Sequence, residues 1–166
     1  MLLKFEKASS KDWEQIKYIY ESGIQTNNAT FETEAPITFD KWISNGFKKC
    51  SNVIKDGDLL LGWYKLSPVS NRMVYDGVGE VSIYVHPKAK GMGVGHMLLD
   101  HLIKTSEENG FWTLQSSIFP ENTASIHLHL NHGFRDVGYR ERIGKVNGVW
   151  RDNLLFERRS KLNGIN

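Results

Sequence analysis

The stretch VSIYVHPKAKGMGVGHMLLDHLI occupies residues 81–103 and combines two kinds of pattern. Residues 81–85 are typical of a strand, whereas the apolar residues after position 96 recur at helical spacing. Gly91, Gly93 and Gly95 separate the two segments. A glycine-rich turn that leads into a helix leaves backbone N–H groups open at the positive end of the helix dipole, where phosphate oxygens can approach without meeting a β-carbon. The stretch therefore predicts an anion site between a strand and a helix.

Two well-known nucleotide-binding loops do not match this turn. The dinucleotide fingerprint would need a third glycine at position 96 or 98, where the sequence has His96 and Leu98. The Walker loop would need a Gly-Lys-Ser/Thr sequence that does not close the stretch. A turn that only reverses the chain is the alternative. Lys88 and Lys90, which stand beside the glycines, favour phosphate binding.

The composition is that of an ordinary globular domain. Hydrophobic residues make up 40% and charged residues 24% of the 166 residues, so we expect a single domain over residues 1–166 with a substantial core. The net charge of +2 comes from Lys and Arg spread along the whole chain, and it gives no argument for a nucleic-acid partner.

The sequence also predicts a cytoplasmic protein with no membrane partner. The apolar run at 59–64 is far shorter than the ~20 residues of a membrane span, and Lys4 and Glu6 stand where a signal peptide would be apolar. Cys50 is the only cysteine, which excludes an intrachain disulfide and favours a reducing compartment. A catalytic thiol is the alternative for Cys50, but no His or Asn motif surrounds it, so we expect an ordinary packed cysteine.

Sequence periodicity predicts the order strand, helix, helix, three strands, helix, strand, helix, and two final strands. Asp56-Gly57 and Asn147-Gly148 are typical of tight hairpin turns. The resulting fold class is α/β, with a mixed sheet and helices on both faces.

Local signals place the boundaries of the first two helices. Ser9 and Asp12 resemble a capping box, and Gly23 is a candidate stop for the first helix. The second helix is expected within residues 38–49, with Thr38 as its cap.

Residues 81–103 resemble the acetyl-CoA-binding strand, loop and helix of the GNAT superfamily of N-acetyltransferases. The loop pattern of that superfamily is Gln/Arg-x-x-Gly-x-Gly/Ala, and Lys90, Gly93 and Gly95 occupy its positions, with Lys90 keeping a positive charge. The resemblance implies a GNAT-type fold with a mostly antiparallel sheet and acetyl-CoA as cosubstrate. It assigns the cofactor to the strand, whose backbone would pair with the pantetheine arm, and to the loop: Ile83, Tyr84, Val85, Lys90, Gly91, Met92, Gly93, Val94, Gly95 and His96.

Further segments are similar to one subgroup, the phosphinothricin acetyltransferase-like or L-amino acid N-acyltransferase enzymes. In ENTASIHLHLNHGF, Asn122 matches an Asn that contacts the cofactor. His129 stands where other GNAT enzymes have a Tyr that protonates the departing thiolate. Three more segments match the subgroup. Its early substrate loop is similar to NATFETEAP, and its stretch that ends in the catalytic Glu is similar to RMVYDGVGE. Its C-terminal hairpin is similar to GKVNGVWRD. The resemblance thus spans almost the whole chain.

The resemblance also implies catalytic roles. Glu80 matches the catalytic Glu of the subgroup and would be the general base for the acceptor ammonium, with a solvated strand carboxylate as the alternative. His129 is the candidate acid for the departing thiolate, or a group that orients it. The backbone N–H near Val85 would stabilise the oxyanion. A metal site at His127, His129 and His132 is disfavoured, because residues two apart on a helix point in different directions and no ligand motif accompanies them.

Four residues are candidates for the acceptor side. Phe31, Tyr75 and Trp150 lie in the segments that match the subgroup, with core packing as an equal alternative. Arg72 could pair with an acceptor carboxylate, or it could be a solvated loop residue.

The sequence therefore predicts an acetyl-CoA-dependent N-acetyltransferase, without a metal, that acts on the α-amine of a small amino-acid-like acceptor. Phosphinothricin, methionine sulfone and methionine sulfoximine are the acceptors that the resemblance implies, and a homodimer is the expected assembly. Two alternatives stay open: an acetyltransferase of peptide or protein N-termini, and a non-catalytic CoA-binding module.

Overall fold

The structure is a computed structural model that describes residues 2–166, and the strands among these residues form one seven-stranded sheet. In chain order they are β1 (Leu3–Lys7), β2 (Ser51–Asp56), β3 (Leu59–Pro68), β4 (Val78–Val85), β5 (Thr113–Ile118), β6 (Arg135–Val146) and β7 (Val149–Arg159). Their order across the sheet is β1-β2-β3-β4-β5-β7-β6. Neighbouring strands are antiparallel except β4 and β5, which are parallel. The predicted mixed, mostly antiparallel sheet is confirmed.

The α-helices of the described residues are α1 (Trp13–Gln25), α2 (Phe39–Ser44), α3 (Val94–Glu108) and α4 (Thr123–Leu130). They occur where the sequence predicts helices and in the predicted order among the strands. None of the helices within residues 2–166 is long and apolar enough to cross a membrane.

The helix starts follow the predicted signals, but one predicted stop is wrong. The backbone N–H of Ser9 donates to Oδ2 of Asp12 at 3.0 Å in a capping box for a 3-10 turn, Ser10–Asp12, that leads into α1, and Thr38 Oγ1 accepts from the Lys41 backbone at 3.3 Å. Gly23 does not end α1, which continues to Gln25. Gly23 serves packing instead, because a β-carbon there would lie 2.6 Å from Cε1 of Tyr84.

The second helix is shorter than the predicted range of 38–49. α2 ends at Ser44, and a separate 3-10 turn follows at Lys48–Cys50. Asn45 and Gly46 stand at the break, and both residue types have low helix propensity.

Apolar clusters cover both faces of the sheet. On one face, α1 and α2 bury a cluster that includes Trp13, Trp42 and Trp63. On the other face, the apolar side of α3 packs on the sheet through Leu98 and Leu102. The predicted arrangement of helices on both faces is therefore confirmed.

The last two strands form a long hairpin at one edge of the sheet. Asn147 and Gly148 adopt φ values of 49° and 81°, the left-handed conformation that a tight hairpin turn requires. The outer strand β6 is exposed along most of its length. This edge is therefore open to a further partner.

Candidate active site

The two parallel strands at the centre of the sheet diverge. β4 and β5 pair only over Val78–Glu80 and Thr113–Gln115, although β4 continues to Val85 and β5 to Ile118. The edge of β4 that faces β5 therefore keeps its backbone groups free over residues 81–85. Backbone groups in a protein interior need partners, so this edge is suited to pair with an extended ligand.

A cavity of about 550 Å³ occupies the gap between the diverging strands. Its walls come from both strands, from the loop that follows α1, and from the first two turns of α4. Several predicted site residues line it together: Phe31, Glu80, Ile83, Tyr84, Val85, Lys90, Asn122 and His129. The remaining predicted residues lie elsewhere, as described below.

The glycine turn lies at one end of this cavity. Gly91 and Gly93 have φ values of 78° and 79°, which L side chains rarely adopt, and Gly93 is the N-cap of α3. The N–H groups of the first turn of α3 have no partners within the helix. Gly95 lies close to α4, since a β-carbon there would be 3.5 Å from Leu128. The turn thus has the open donors expected of an anion site.

Other residues predicted for the cofactor lie around this turn and do not line the cavity. Val94 is buried in the core cluster beneath α3. Met92 is exposed, and the ring of His96 lies 5.1 Å from that of His132. The side chain of Val94 is therefore closed to a ligand, whereas those of Met92 and His96 are exposed outside the cavity.

Tyr84 contributes its side chain to the aromatic cluster rather than to the edge of β4. Its ring stacks on Trp63 at 4.6 Å and meets Tyr20 edge-on at 4.9 Å. Burial raises the pKa of the Tyr84 hydroxyl well above its ordinary value. The phenol is therefore neutral near neutral pH and is an unsuitable base.

Glu80 lies at the point where the strands separate. It is the last residue of β4 that pairs with β5, and its cross-strand partner is Gln115. Nε2 of Gln115 donates to Oε2 of Glu80 at 3.0 Å. This bond fixes one carboxylate oxygen, while the residue still lines the cavity. Glu80 can thus accept a proton from a ligand in the gap.

His129 is 3% exposed and has a defined tautomer. Its Nδ1–H donates to the carbonyl oxygen of Ser125 at 2.7 Å, which leaves the lone pair on Nε2. Nε2 is buried and has no hydrogen-bond partner among residues 2–166. Burial lowers the pKa of His129, outweighing the hydrogen bond to Ser125, which raises it. The imidazole is therefore neutral near pH 7, with an acceptor atom free.

Asn122 ties α4 to the loop that follows α1. Its Oδ1 caps α4 by accepting from the Ser125 backbone at 3.2 Å, and its Nδ2 donates to the carbonyl oxygen of Asn28 at 3.0 Å. Arg151 on β7 holds the same loop, because it donates to the carbonyl oxygen of Asn27 at 2.7 Å. These contacts hold the loop after α1 against α4 and β7 beside the cavity.

The four predicted acceptor residues do not come together within one chain. Phe31 lines the cavity and packs edge-on against Phe119 at 4.9 Å. Arg72 and Tyr75 lie on an exposed turn between β3 and β4, with the guanidinium 5.5 Å from the Tyr75 ring. Trp150 is exposed on the C-terminal hairpin. The acceptor roles of all four residues stay predictions.

Several polar residues that line the cavity were not predicted. Ser82 lies two residues after Glu80, so the alternation of a strand could have indicated it. The other polar residues depend on the tertiary structure, since they come from α1 and the loop after it, from β5 and from α4: Ser22, Thr26, Asn28, Thr30, Glu32, Ser116, Ser117 and Ser125. Among the described residues, no group of three or more His, Cys, Asp or Glu side chains is placed to hold a metal ion.

Comparison with known proteins gives matches over most of the chain. A family model for the acetyltransferase (GNAT) domain matches residues 6–155. The phosphinothricin N-acetyltransferase of Alcaligenes faecalis is 30% identical over 158 residues, which cover 89% of this chain and 77% of that enzyme. The L-methionine sulfoximine/L-methionine sulfone acetyltransferase of Salmonella typhimurium is 37% identical over 78 residues, which cover 47% of this chain and 46% of that enzyme.

A solved structure has the same fold over the whole chain. The GNAT superfamily phosphinothricin acetyltransferase of Sinorhizobium meliloti, in complex with acetyl-CoA, has a TM-score of 0.87 at 24% identity, and the match covers 100% of this chain and 92% of that one. The predicted fold is confirmed by this match, and the predicted acetyltransferase activity is confirmed by the family model and the relatives. The chain belongs to the GNAT family of acetyltransferases.

Proposed function

We propose that this protein transfers an acetyl group from acetyl-CoA to the α-amine of a small amino-acid-like acceptor. The observation that carries the proposal is the position of Glu80, at the point where β4 and β5 diverge and where the cavity begins. A base at this point can act on an amine that approaches a thioester lying along the free edge of β4. The relatives named for phosphinothricin and for methionine sulfone indicate the class of acceptor.

Acetyl-CoA would bind at the edge of β4 and at the glycine turn. The pantetheine amides would pair with the free backbone groups of Ile83 to Val85, and the pyrophosphate would meet the N–H groups at the start of α3, with Lys90 beside them. Left-handed Gly91 and Gly93 allow this backbone conformation. Asn122 would act mainly by holding α4 and the neighbouring loop in place around the cofactor.

The reaction would proceed by direct transfer. Glu80 takes a proton from the acceptor ammonium, directly or through a water, and the free amine attacks the thioester carbonyl. The C–N bond forms and the carbonyl oxygen becomes an oxyanion, which a backbone N–H near Val85 would stabilise. The C–S bond then breaks, the nitrogen loses its second proton to His129 or to water as the amide forms, and the departing thiolate takes up a proton.

His129 would act in this last step. Because its proton is on Nδ1 and its pKa is lowered, Nε2 has no proton to give at rest. An acid role would require Nε2 first to receive the proton that the amine nitrogen loses, and then to pass it to sulfur. Otherwise Nε2 of His129 orients the coenzyme A product by accepting a hydrogen bond from its S–H, once the sulfur has been protonated. In either role the free acceptor atom of Nε2 is what the reaction uses.

A second copy of the chain would cover the exposed hairpin edge. Large apolar side chains are exposed there and on the turn between β3 and β4: Met73, Val74, Tyr75, Val137, Tyr139, Ile143, Val149 and Trp150. Exposed apolar surface of this kind marks an interface, so we propose a homodimer. Sedimentation equilibrium of wild type and of Ile143→Glu tests this, and a wild-type monomer at micromolar concentration would refute it.

We further propose that the protein works in the cytoplasm without a nucleic-acid or membrane partner. The single thiol, Cys50, is fully buried, and burial raises its pKa to about 11. It is therefore a packed residue with little thiolate, which agrees with a role outside catalysis. Fractionation of the source cells tests the location, and recovery with the membrane fraction would contradict it.

Mass spectrometry of the products tests the proposed acceptor class. The protein is incubated with acetyl-CoA and with methionine sulfone, phosphinothricin, other free amino acids, or short peptides with free N-termini. The proposal expects a gain of one acetyl group on the α-amine of a free amino acid. Acetylation of peptides alone would replace it with an N-terminal acetyltransferase. Tight binding of acetyl-CoA with no acetylated product at all would indicate a non-catalytic CoA-binding module.

A further inference from the structure

The charge of the cavity is uneven along its length. Two carboxylates line it, from Glu80 on β4 and Glu32 in the loop after α1, whereas Lys90 is the only Lys or Arg among its described lining residues. Lys90 stands beyond the end of β4, which runs about 17 Å from Glu80 to Val85 at ~3.3 Å per residue. The positive charge thus belongs to the cofactor end, and the acceptor end is acidic.

The carboxylate of Glu32 lies over the second half of β4, near Tyr84, on the face of the strand that also carries Glu80. Its negative charge helps to raise the pKa of both Tyr20 and Tyr84, so it is close to both phenols. Tyr84 lies four residues after Glu80, on the same face of β4. The backbone N–H of Glu32 donates to Thr30 Oγ1 at 3.1 Å, which fixes the loop at this position. Both carboxylates therefore act on an acceptor in this region.

Two cations lie near this end without lining the cavity, and the charge of one of them, Lys65, interacts with that of Glu32. Lys65 is the cross-strand partner of Ser82, but its Nζ is directed to Trp42 O and Asn45 Oδ1, both at 2.8 Å, and it does not line the cavity. Arg72 lies outside the lining, on its exposed turn. The acceptor end can therefore receive an ammonium group, and a negative charge on the acceptor side chain would meet Glu32 without a lining cation to balance it.

We propose that Glu32 determines acceptor specificity by selecting amino acids whose side chain carries no negative charge. The inference rests on the proposed function and adds a preference within its acceptor class. Methionine sulfone and phosphinothricin make the preference measurable, since their side chains have nearly the same shape. The sulfone is neutral, whereas the phosphinate carries one negative charge near neutral pH. Repulsion at ~8 Å in a partly solvated site corresponds to a preference of roughly tenfold for the neutral acceptor.

The test compares kcat/KM for the two acceptors in three proteins: wild type, Glu32→Gln and Glu34→Gln. Glu34 lies in the same loop, is exposed and does not line the cavity, so it is a matched control. We expect wild type to favour methionine sulfone. Glu32→Gln should lower the ratio of sulfone to phosphinothricin kcat/KM by roughly tenfold, mainly by improving phosphinothricin. Glu34→Gln should leave the ratio as in wild type.

The possible failures can be told apart. If wild type acetylates at least one of the two acceptors and Glu32→Gln keeps the wild-type ratio, the specificity role of Glu32 is refuted and the proposed function stands. An equal change in Glu34→Gln would also refute it, because the effect would then be a general loss of charge. If wild type acetylates neither compound, the proposed function itself fails, and the specificity role fails with it.

Discussion

Lys65 offers a quantitative test of how the structure buries charge beside the site. Lys65 is 8% exposed, and its ammonium donates to two neutral oxygens, the carbonyl oxygen of Trp42 and Oδ1 of Asn45. No carboxylate among residues 2–166 forms a salt bridge with it. Burial lowers the pKa of Lys65 from 10.5 to about 8, against a small opposing effect of Glu32. The folded protein therefore holds this proton less tightly than the unfolded chain.

The size and sign of the effect follow from proton linkage. A difference of one in pKa corresponds to about 1.4 kcal/mol, so protonated Lys65 costs the folded state about 3 kcal/mol near neutral pH. Because the unfolded chain binds more protons between about pH 8 and 10.5, the free energy of unfolding rises with pH across that window. From pH 7 to pH 9.5 this single group contributes a gain of about 2 kcal/mol.

The assay is urea unfolding of wild type and Lys65→Met at several pH values from 7 to 9.5. Methionine cannot titrate, so the stability of the variant relative to wild type should fall by about 2 kcal/mol across this range. The prediction concerns how the stability difference between the two proteins changes with pH, not its size at any one pH. The size also includes the cost of leaving the oxygens of Trp42 and Asn45 without their donor. Titration of the Cys50 thiol occurs in both proteins and cancels. Lys104→Met, an exposed control, should show no such slope.

A constant difference between Lys65→Met and wild type from pH 7 to 9.5 would refute the reasoning. It would mean that Lys65 keeps an ordinary pKa and is solvated in the folded protein. A difference that grows in favour of the variant as pH rises would contradict the sign of the effect. Either result would also remove Lys65 from the description of charge at the acceptor end.

Three further substitutions test the site. Glu80→Gln should keep the Kd for acetyl-CoA and lower kcat by ~10²-fold or more, as expected for loss of one general base; a kcat near wild type would remove that role. Gly93→Ala should cost about 1 kcal/mol of stability, because φ is 79°, and should weaken acetyl-CoA binding in calorimetry; unchanged binding would contradict the anion site. Asn122→Ala should cost about 1 kcal/mol in thermal unfolding through loss of the α4 cap, and wild-type stability would show that the cap is dispensable.

Much of the fold could be predicted because its signals are local. The Asn147-Gly148 turn, the Thr38 cap and the glycine turn each depend on a few adjacent residues, and the structure has all three. Gly23 misled the prediction of the α1 stop because a glycine can serve either a helix end or a close contact. The sequence has no signal that separates these uses, since Tyr84, which requires the glycine, is distant in the chain.

The site could be predicted only in part, because it depends on long-range geometry. The strand with Glu80 and the glycine turn were identified, but the point at which β4 and β5 diverge has no local pattern. The loop with Glu32 is held by Asn122 and Arg151, which bond Asn28 and Asn27 across 94 and 124 positions. Such contacts appear only once the chain is folded.

The central claim, acetyl transfer to an α-amine with Glu80 as base, is tested most directly by the initial rate of free thiol release from acetyl-CoA. The rate is measured for wild type and Glu80→Gln, with methionine sulfone and with the same compound acetylated at its amine. The account predicts rapid release by wild type with the free amine, release at least ~10²-fold slower by Glu80→Gln, and background rates with the blocked amine. Equal release with the free and the blocked amine, or equal rates in the two proteins, would contradict it.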